Sequence, residues 1–262
     1  MRISVNAPSY RRSDDVKTLA YLPFTRIWVD ESEAKAYADN YPKAKIVSCP
    51  TGIQGNLCRV RNYILDTEFK RGMDVVLIID DDLSRIEQFY YDPVEDFGYC
   101  RRAVEAKEFL AFIEKYSIMA EELGAKFWGV NCYADPMAYL HCTPFSTVAY
   151  IGGPFQCFLK GNRCRYDESL PLKEDYDMTL QQLNKERVVL RVNSYHYVCK
   201  QSTNAGGCAT YRNRDFEHEQ LLALQRKWGS RIVKVDNSNK GRSDKRKYED
   251  YNPIIKVPIG GV

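Results

Sequence analysis

The sequence predicts an α/β protein whose first half is a parallel, helix-covered, Rossmann-like sheet and whose second half continues into a mixed sheet. Three observations predict it. Short apolar runs alternate with helix-period segments through residue 82, and each run closes on a turn former or a capping residue. One run, Val75 to Ile79, is continuously apolar, as expected of a strand buried on both faces. Beyond residue 82 the rhythm loosens into Val- and Tyr-rich segments broken by glycine.

The elements follow in order. Residues 2–7 form an apolar-biased strand that Pro8-Ser9-Tyr10-Arg11-Arg12 ends. Ser13 followed by Asp14 and Asp15 marks a helix start with carboxylates in its first turn. Residues 25–29 are a second strand, and Asp30 opens a helix that runs to about Tyr41, before Pro42. Residues 45–49 are a third strand, closed by Pro50 and followed by a loop from Gly52 to Gly55. Asn56 caps a helix that continues to about Lys70, with Gly72 as its stop. Residues 74–79 are the fourth strand. This β-α repetition implies right-handed parallel crossovers.

In the second half, residues 106–123 read as a helix stopped by Gly124, and 126–133 as a strand. A strand over 147–151 breaks at Gly152-Gly153-Pro154 and resumes over 155–159. Residues 172–183 are a helix, 188–199 a strand, 204–207 a loop and 216–228 a last helix. The division expected is a body over 1–225, with a first half over about 1–82 and a second over 83–225, then a basic extension over 226–262.

Composition bounds the class. The 262 residues are 44% hydrophobic and 28% charged, ordinary for a folded globular protein. No apolar run approaches the roughly 20 residues a membrane span needs. Nine scattered cysteines without a C-x-x-C pair argue for reduced thiols in a cytoplasm. Three histidines leave little for a multi-histidine metal site. From Arg226 to Lys247 nine basic residues face two acidic ones, a block of +7 within a chain of net +3. Such a block suits a polyanion or a solvated tail.

The chemical signal is the acid triplet Asp80-Asp81-Asp82 at the end of the buried run. Clustered carboxylates repel one another unless a cation sits among them, and a hard oxygen-ligated ion, Mn²⁺ or Mg²⁺, suits the cluster. If the triplet stays extended, Asp80 and Asp82 point to one side and are the candidate metal and ribose contacts. Asp81 then faces backbone or substrate. A second carboxylate pair, Glu174-Asp175, opens a helix whose dipole favours the ionised form.

The ordered set of Pro8-Ser9-Tyr10-Arg11-Arg12, Arg61-Asn62, Asp80-Asp81-Asp82, Glu174-Asp175 and His196 resembles a GT-A fold nucleotide-sugar glycosyltransferase over most of residues 1–200. Leu172-Lys173-Glu174-Asp175-Tyr176-Asp177, Tyr195-His196-Tyr197 and Asn204-Ala205-Gly206-Gly207 resemble the TET/JBP-associated glycosyltransferases, predicted to sugar hydroxymethylated pyrimidines such as 5-hydroxymethylcytosine in bacteriophage DNA. The resemblance implies a UDP-sugar donor, a divalent ion held by Asp80, Asp82 and His196, and double-stranded DNA as acceptor in a host cytoplasm. It implies that Pro8, Ser9, Tyr10 and Arg11 meet the nucleoside, that Asp30 accepts from uracil or ribose, that Arg61 (and not Arg59) reaches the diphosphate, and that Asp81 joins the donor site. It makes Asp175 the base, Glu174 its partner and Asp177 the fallback. Trp128, Tyr133 and the Gly152-Gly153-Pro154 loop fall where acceptors dock, and Gly206-Gly207 with Lys200 and Arg212 suits a phosphate-contacting loop or a hairpin turn. For several of these residues an ordinary structural role stands beside the functional one: a helix N-cap for Asp30, an exposed helix position for Arg61, a packed strand position for His196 and Trp128. An acceptor that is protein, lipid or glycan, a non-glycosyl metal enzyme acting on nucleic acid or nucleotides, and a non-catalytic DNA-binding protein are the competing readings.

Overall fold

The computed structural model describes residues 1–94, 99–135, 139–199, 207–235 and 251–257. Four parallel strands open the chain: β1 (Ile3–Pro8), β2 (Arg26–Asp30), β3 (Lys45–Cys49) and β4 (Val75–Ile79), side by side in the order β3-β2-β1-β4. Their crossovers carry α1 (Thr18–Tyr21), α2 (Ala34–Asn40) and α3 (Leu57–Lys70). The sheet then turns mixed. The strand β9 (Phe155–Leu159) runs antiparallel to β4 and to β7 (Phe127–Asn131), which lies parallel to β10 (Leu190–Cys199). A hairpin of β5 (Leu83–Tyr91) and β6 (Tyr99–Ala103) extends the sheet antiparallel beyond β10. The helices α4 (Phe109–Glu122), α5 (Glu174–Glu186) and α6 (Arg214–Trp228) complete the layers, with β11 (Val233–Val235) and β12 (Pro253–Ile255) as a separate ribbon. This is the parallel half running into a mixed half that the sequence predicts.

The run in β4 is apolar throughout because both faces of the sheet are covered. Val75, Leu77 and Ile79 pack with Phe109, Phe112 and Tyr116 of α4, whereas Val76 and Ile78 pack with Val60 and Ile64 of α3 and Met178 of α5. Strand alternation sends successive side chains to opposite faces, so a strand between two helical layers has no polar positions left.

Four readings are corrected. The helix expected from Ser13 is a loop followed by the single turn α1, because Thr18 is tied to the acid triplet: its amide donates to the Asp81 carbonyl at 3.0 Å and its hydroxyl to the Asp80 carbonyl at 2.7 Å. The strand expected over 147–151 is only β8 (Phe145–Ser146), paired with Val192 and Arg191 at the start of β10. After Thr147, whose carbonyl accepts from Val189, β10 has no ladder left to offer. The strands β5 and β6 are additions. In β5 the fully buried apolar residues Leu83, Ile86 and Phe89 recur every three positions, a spacing that mimics a helix, and β6 is a charged edge strand. The expected boundary at residue 225 falls inside α6, whose Leu221 and Leu224 pack on Leu170 and Leu180 of the body. Most of the basic block, including Lys240, Arg242 and Lys245 to Lys247, lies outside the described residues, as do Lys200 and Asn204 to Gly206.

At Gly129 in β7 a Cβ would sit 2.4 Å from Ile151 Cγ2 and 2.8 Å from the Phe155 carbonyl oxygen. Backbone cannot yield there as a flexible side chain can. Gly129→Ala is expected to cost about 1–3 kcal/mol, the usual range for overpacking, seen as a lowered midpoint in thermal unfolding. A wild-type midpoint would show that the core has slack at this strand.

Candidate active site

Parallel strands carry their carboxyl ends to one edge of the sheet, where ligands of open α/β sheets bind. Here the ends of β1 and β4 meet the loop before β9, the start of α5 and the turn before α6 around a cleft of about 290 Å³. Antiparallel pairing of β9 on β4 seats Gly152-Gly153-Pro154 beside the triplet, with the Asp80 amide donating to the Pro154 carbonyl at 3.3 Å.

The three aspartates do not stay extended; they turn, and each meets a different environment. Asp80 remains the most open of them, its side chain 33% exposed. Asp81 points inward, where Ser9 donates to one oxygen at 2.5 Å and Arg12 to the other at 2.8 Å. Burial pushes its carboxyl up to about 6 against the pull of Arg12. Asp82 is pushed up to about 7, first by burial and then by the charges of Asp80 and Asp81. The thiol of Cys199, at the end of β10, is pushed up first by burial and then by the charges of Asp80 and Asp82.

Arg61 joins the two halves of the site. It projects from α3 and is 1% exposed. One terminal nitrogen donates to Asp80 at 3.0 Å and to the Gly153 carbonyl at 3.1 Å; the other donates to Glu174 at 3.1 Å, with Gln156 at 3.5 Å. Its guanidinium also lies over the Tyr166 ring, 5.6 Å from the centroid. The planar fork of arginine can hold a carboxylate on each side, which the point charge of lysine cannot.

Glu174 and Asp175 open α5 and meet different surroundings. Glu174 is buried, and that burial, with Asp175 beside it, pushes its carboxyl up to about 8 while Arg61 pulls it down. Asp175 is aimed by three donors. The Tyr150 hydroxyl and the Gly153 amide (3.2 Å) reach Oδ2, and the Tyr176 amide reaches Oδ1 at 2.8 Å. The residue before them, Lys173, is buried against Glu217 at 2.5 Å, and Glu217 also holds Arg212 at 2.8 Å. Glu217 and Arg212 form part of the far wall of the cleft.

Pro8, Ser9, Tyr10, Arg61, Asp80, Asp81, Asp82, Glu174 and Asp175 all line this cleft, so most of the residues singled out in the sequence come together. Six others do not join them. His196 faces the opposite side of β10 from the cleft-lining Tyr197, stacked on Phe89 at 4.6 Å with Nε2 3.1 Å from Glu87, so it does not complete a metal shell with Asp80 and Asp82. Arg11 adopts a positive φ of 56° and lies over Tyr10 outside the cleft; Arg12 takes the inward place. Asp30 accepts from the amide and hydroxyl of Ser32 at 3.0 and 2.6 Å, a local turn at the strand end rather than a ligand contact. Asp177 is buried against Trp228 and Lys227, which removes it as a fallback base. Trp128 is core, its Nε1 donating to Ser117 at 3.0 Å, and Tyr133 is exposed outside the cleft. Sequence reasoning gave no site role to Arg12, Gln54, Tyr150 or Tyr197, which all line the cleft. The adjacency of two arginines was a signal for the first. Tyr150 carried none, because a strand over 147–151 would have hidden it.

Among the described residues no group of three or more His, Cys, Asp or Glu side chains is gathered as a metal cage. Asp80 and Asp82 nevertheless fit a hard divalent ion held by one or two carboxylates, with substrate phosphates and water completing its shell. The support is charge. The upward push on Asp82 comes partly from its two acidic neighbours, and a cation relieves that repulsion.

The sequence matches the model of a family described as TET-Associated Glycosyltransferase over residues 4–207. No curated protein matches it. Among solved structures, the chain is similar to S. aureus TarS 1-349 in complex with UDP, at 14% identity and a TM-score of 0.47, over 75% of this chain and 59% of that one. This chain therefore spans less than two thirds of that TarS structure. It is also similar to a cytidylyltransferase from Leptospira borgpetersenii, at 11% identity and a TM-score of 0.39, over 87% of this chain and 94% of that one.

Two outcomes follow from the charges. Removing Arg61 strands the buried Glu174 carboxylate and leaves the partly exposed Asp80 unpaired, so Arg61→Met is expected to cost about 3–5 kcal/mol in urea unfolding, and adding Glu174→Gln should recover part of it; full stability of Arg61→Met alone would refute the linking role. For Asp82, a folded pKa of about 7 against an ordinary 3.8 means that the native state holds the proton more tightly than the unfolded chain. Stability of the metal-free protein is then full below about pH 4 on this account and declines as pH rises through about 7. Asp82→Asn should flatten that decline in a series of thermal midpoints, and an unchanged slope would remove Asp82 as its source.

Proposed function

We propose that this chain, which belongs to the TET-associated glycosyltransferase family, moves a sugar from a UDP-sugar to the hydroxymethyl group of a pyrimidine in DNA. The observation that carries this reading is the Arg61 bridge: one buried cation fixes the triplet end of β4 and the Glu174-Asp175 end of α5 across a single cleft. A transfer site needs those two ends, one for the departing diphosphate and one for the attacking hydroxyl.

Ser9 and Tyr10 at the end of β1, with Gln54 from the loop after β3, surround the space assigned to the nucleoside. Asp80 and Asp82 would hold a divalent ion, which when bound supplies positive charge against the leaving diphosphate. The protein's own contributions are positional and electrostatic. Arg61 holds Asp80 toward the cleft and anchors Glu174, which fixes the first turn of α5. Asp175, held on one oxygen by two donors, takes the proton of the acceptor hydroxyl. Ser9 and Arg12 keep Asp81 folded inward, so the triplet presents its two outer carboxylates.

What supports a DNA acceptor is the description of the family as TET-associated. No described helix is long and apolar enough to cross a membrane, and all nine cysteines are free, in keeping with an enzyme that meets DNA in a reducing compartment. The test is a panel of UDP-sugars with Mn²⁺ and duplex DNA containing hydroxymethylpyrimidines, read by mass. The expected product is DNA heavier by one sugar residue per modified base. Donor consumption with unmodified DNA would move the acceptor to another class, and no consumption of any donor would overturn the reading.

Two variants divide the roles. Asp175→Asn is expected to keep the thermal shift given by UDP with Mn²⁺ while losing transfer by about 10²–10⁴-fold, the usual weight of general-base catalysis. Asp80→Asn with Asp82→Asn is expected to abolish that shift. Transfer retained in Asp175→Asn, or a shift retained in the double variant, would displace the corresponding assignment.

A further inference from the structure

We propose that Tyr150 is the positioning residue of Asp175, holding Oδ2 so that Oδ1 is the oxygen that receives the acceptor proton. This rests on the reading of Asp175 as the base. A carboxylate oxygen has two good acceptor directions. On Oδ2 both are used, by the Tyr150 hydroxyl and by the Gly153 amide at 3.2 Å. On Oδ1 only the Tyr176 amide, at 2.8 Å, is engaged. One direction on Oδ1 is therefore open, and Asp175 lines the cleft.

The tyrosine is itself fixed. Its ring stacks on Tyr176 at 4.2 Å between centroids with 14° between planes. Burial and the charge of Asp175 push the Tyr150 phenol well above its ordinary range, so it remains a donor and does not compete for the proton. The other titratable and charged groups around Asp175 are Glu174 on its own helix, held by Arg61, and Cys132, Tyr166 and Tyr197, with Arg191 near Cys132. In the step itself the acceptor O–H proton passes to Oδ1 and the acceptor oxygen bonds to the anomeric carbon. The bond from that carbon to the phosphate oxygen breaks, and its electron pair leaves on the diphosphate.

The arrangement explains why residues 147–151 leave the sheet. A strand there would hold Tyr150 in a ladder, whereas the released segment delivers its hydroxyl to α5.

The test compares Tyr150→Phe, which keeps the stacked ring and deletes only the hydroxyl, with wild type, using UDP release from the panel donor that wild type consumes. A hydrogen bond to a charged group is worth enough that kcat should fall by about tenfold to a hundredfold, with the donor KM unchanged. The acid limb of the pH–rate profile should move to higher pH, because a carboxylate that loses a donor holds its proton more tightly. Tyr150→Leu, which also deletes the hydroxyl, serves in place of Tyr150→Phe if that variant fails to fold. A Tyr150→Phe enzyme with wild-type kcat and profile would overturn the proposal while leaving the base assignment standing. Transfer retained in Asp175→Asn would instead remove the base assignment on which the proposal rests.

Discussion

A single buried cation governs this site. Arg61 has almost no contact with solvent, yet its guanidinium spans from the end of β4 to the first turn of α5. Burying a charge is costly unless it is paired and hydrogen-bonded, and here the pairing comes from two elements far apart in sequence. The interaction therefore has a geometric consequence beyond its energy. The triplet cannot drift from Glu174 without breaking the bonds of the buried Arg61 to Asp80 and Glu174. Hydrophobic substitutes could fill the same volume at equal or lower cost, but they would impose no direction on Asp80 or on the helix that carries Asp175.

The same logic explains how three adjacent acids coexist. Asp81 is neutralised by Arg12 and hydrogen-bonded by Ser9, so it is part of the scaffold. Asp80 is paired through Arg61. Asp82 is pushed upward first by burial and then by the charges of Asp80 and Asp81. A fold optimised for stability alone would place a neutral residue there. The cost is intelligible if a cation occupies the site during turnover, since binding to the native state alone adds stability. Thr18 supports the turn from beneath by satisfying the backbone carbonyls of Asp80 and Asp81. This is why the segment after β1 forms a loop, although its composition favours a helix start.

The first four strands and α3 were legible because each carries a local cause: an apolar run, a cap at Asn56, a stop at Gly72. So was the gathering of the Pro8 loop, Arg61, the triplet and Glu174-Asp175, since strand ends in a parallel sheet share an edge. What was not legible depends on pairing partners. Whether residues 147–151 form a strand is decided by where β10 begins, and whether β5 is strand or helix is decided by an edge offered by β10. His196 shows the same limit. Its place on a strand was readable, but alternation alone does not say which face of β10 meets the cleft. Only its contact with Glu87 and Phe89 does.

The far wall of the cleft raises a separate point about where specificity resides. Cys208, Tyr211, Arg212 and Glu217 line the same space as the triplet, but they follow the stretch that matches the family, which ends at residue 207. They are not loosely appended. Lys173, immediately before the Glu174-Asp175 pair, is buried against Glu217, and Glu217 holds Arg212 in place. Asn213 caps α6 through the Phe216 amide, which fixes where Glu217 projects. The C-terminal helix is thus coupled by a buried ion pair to the turn that carries the proposed base. The matched stretch supplies one side of the cleft, and the part of the chain beyond it closes the other.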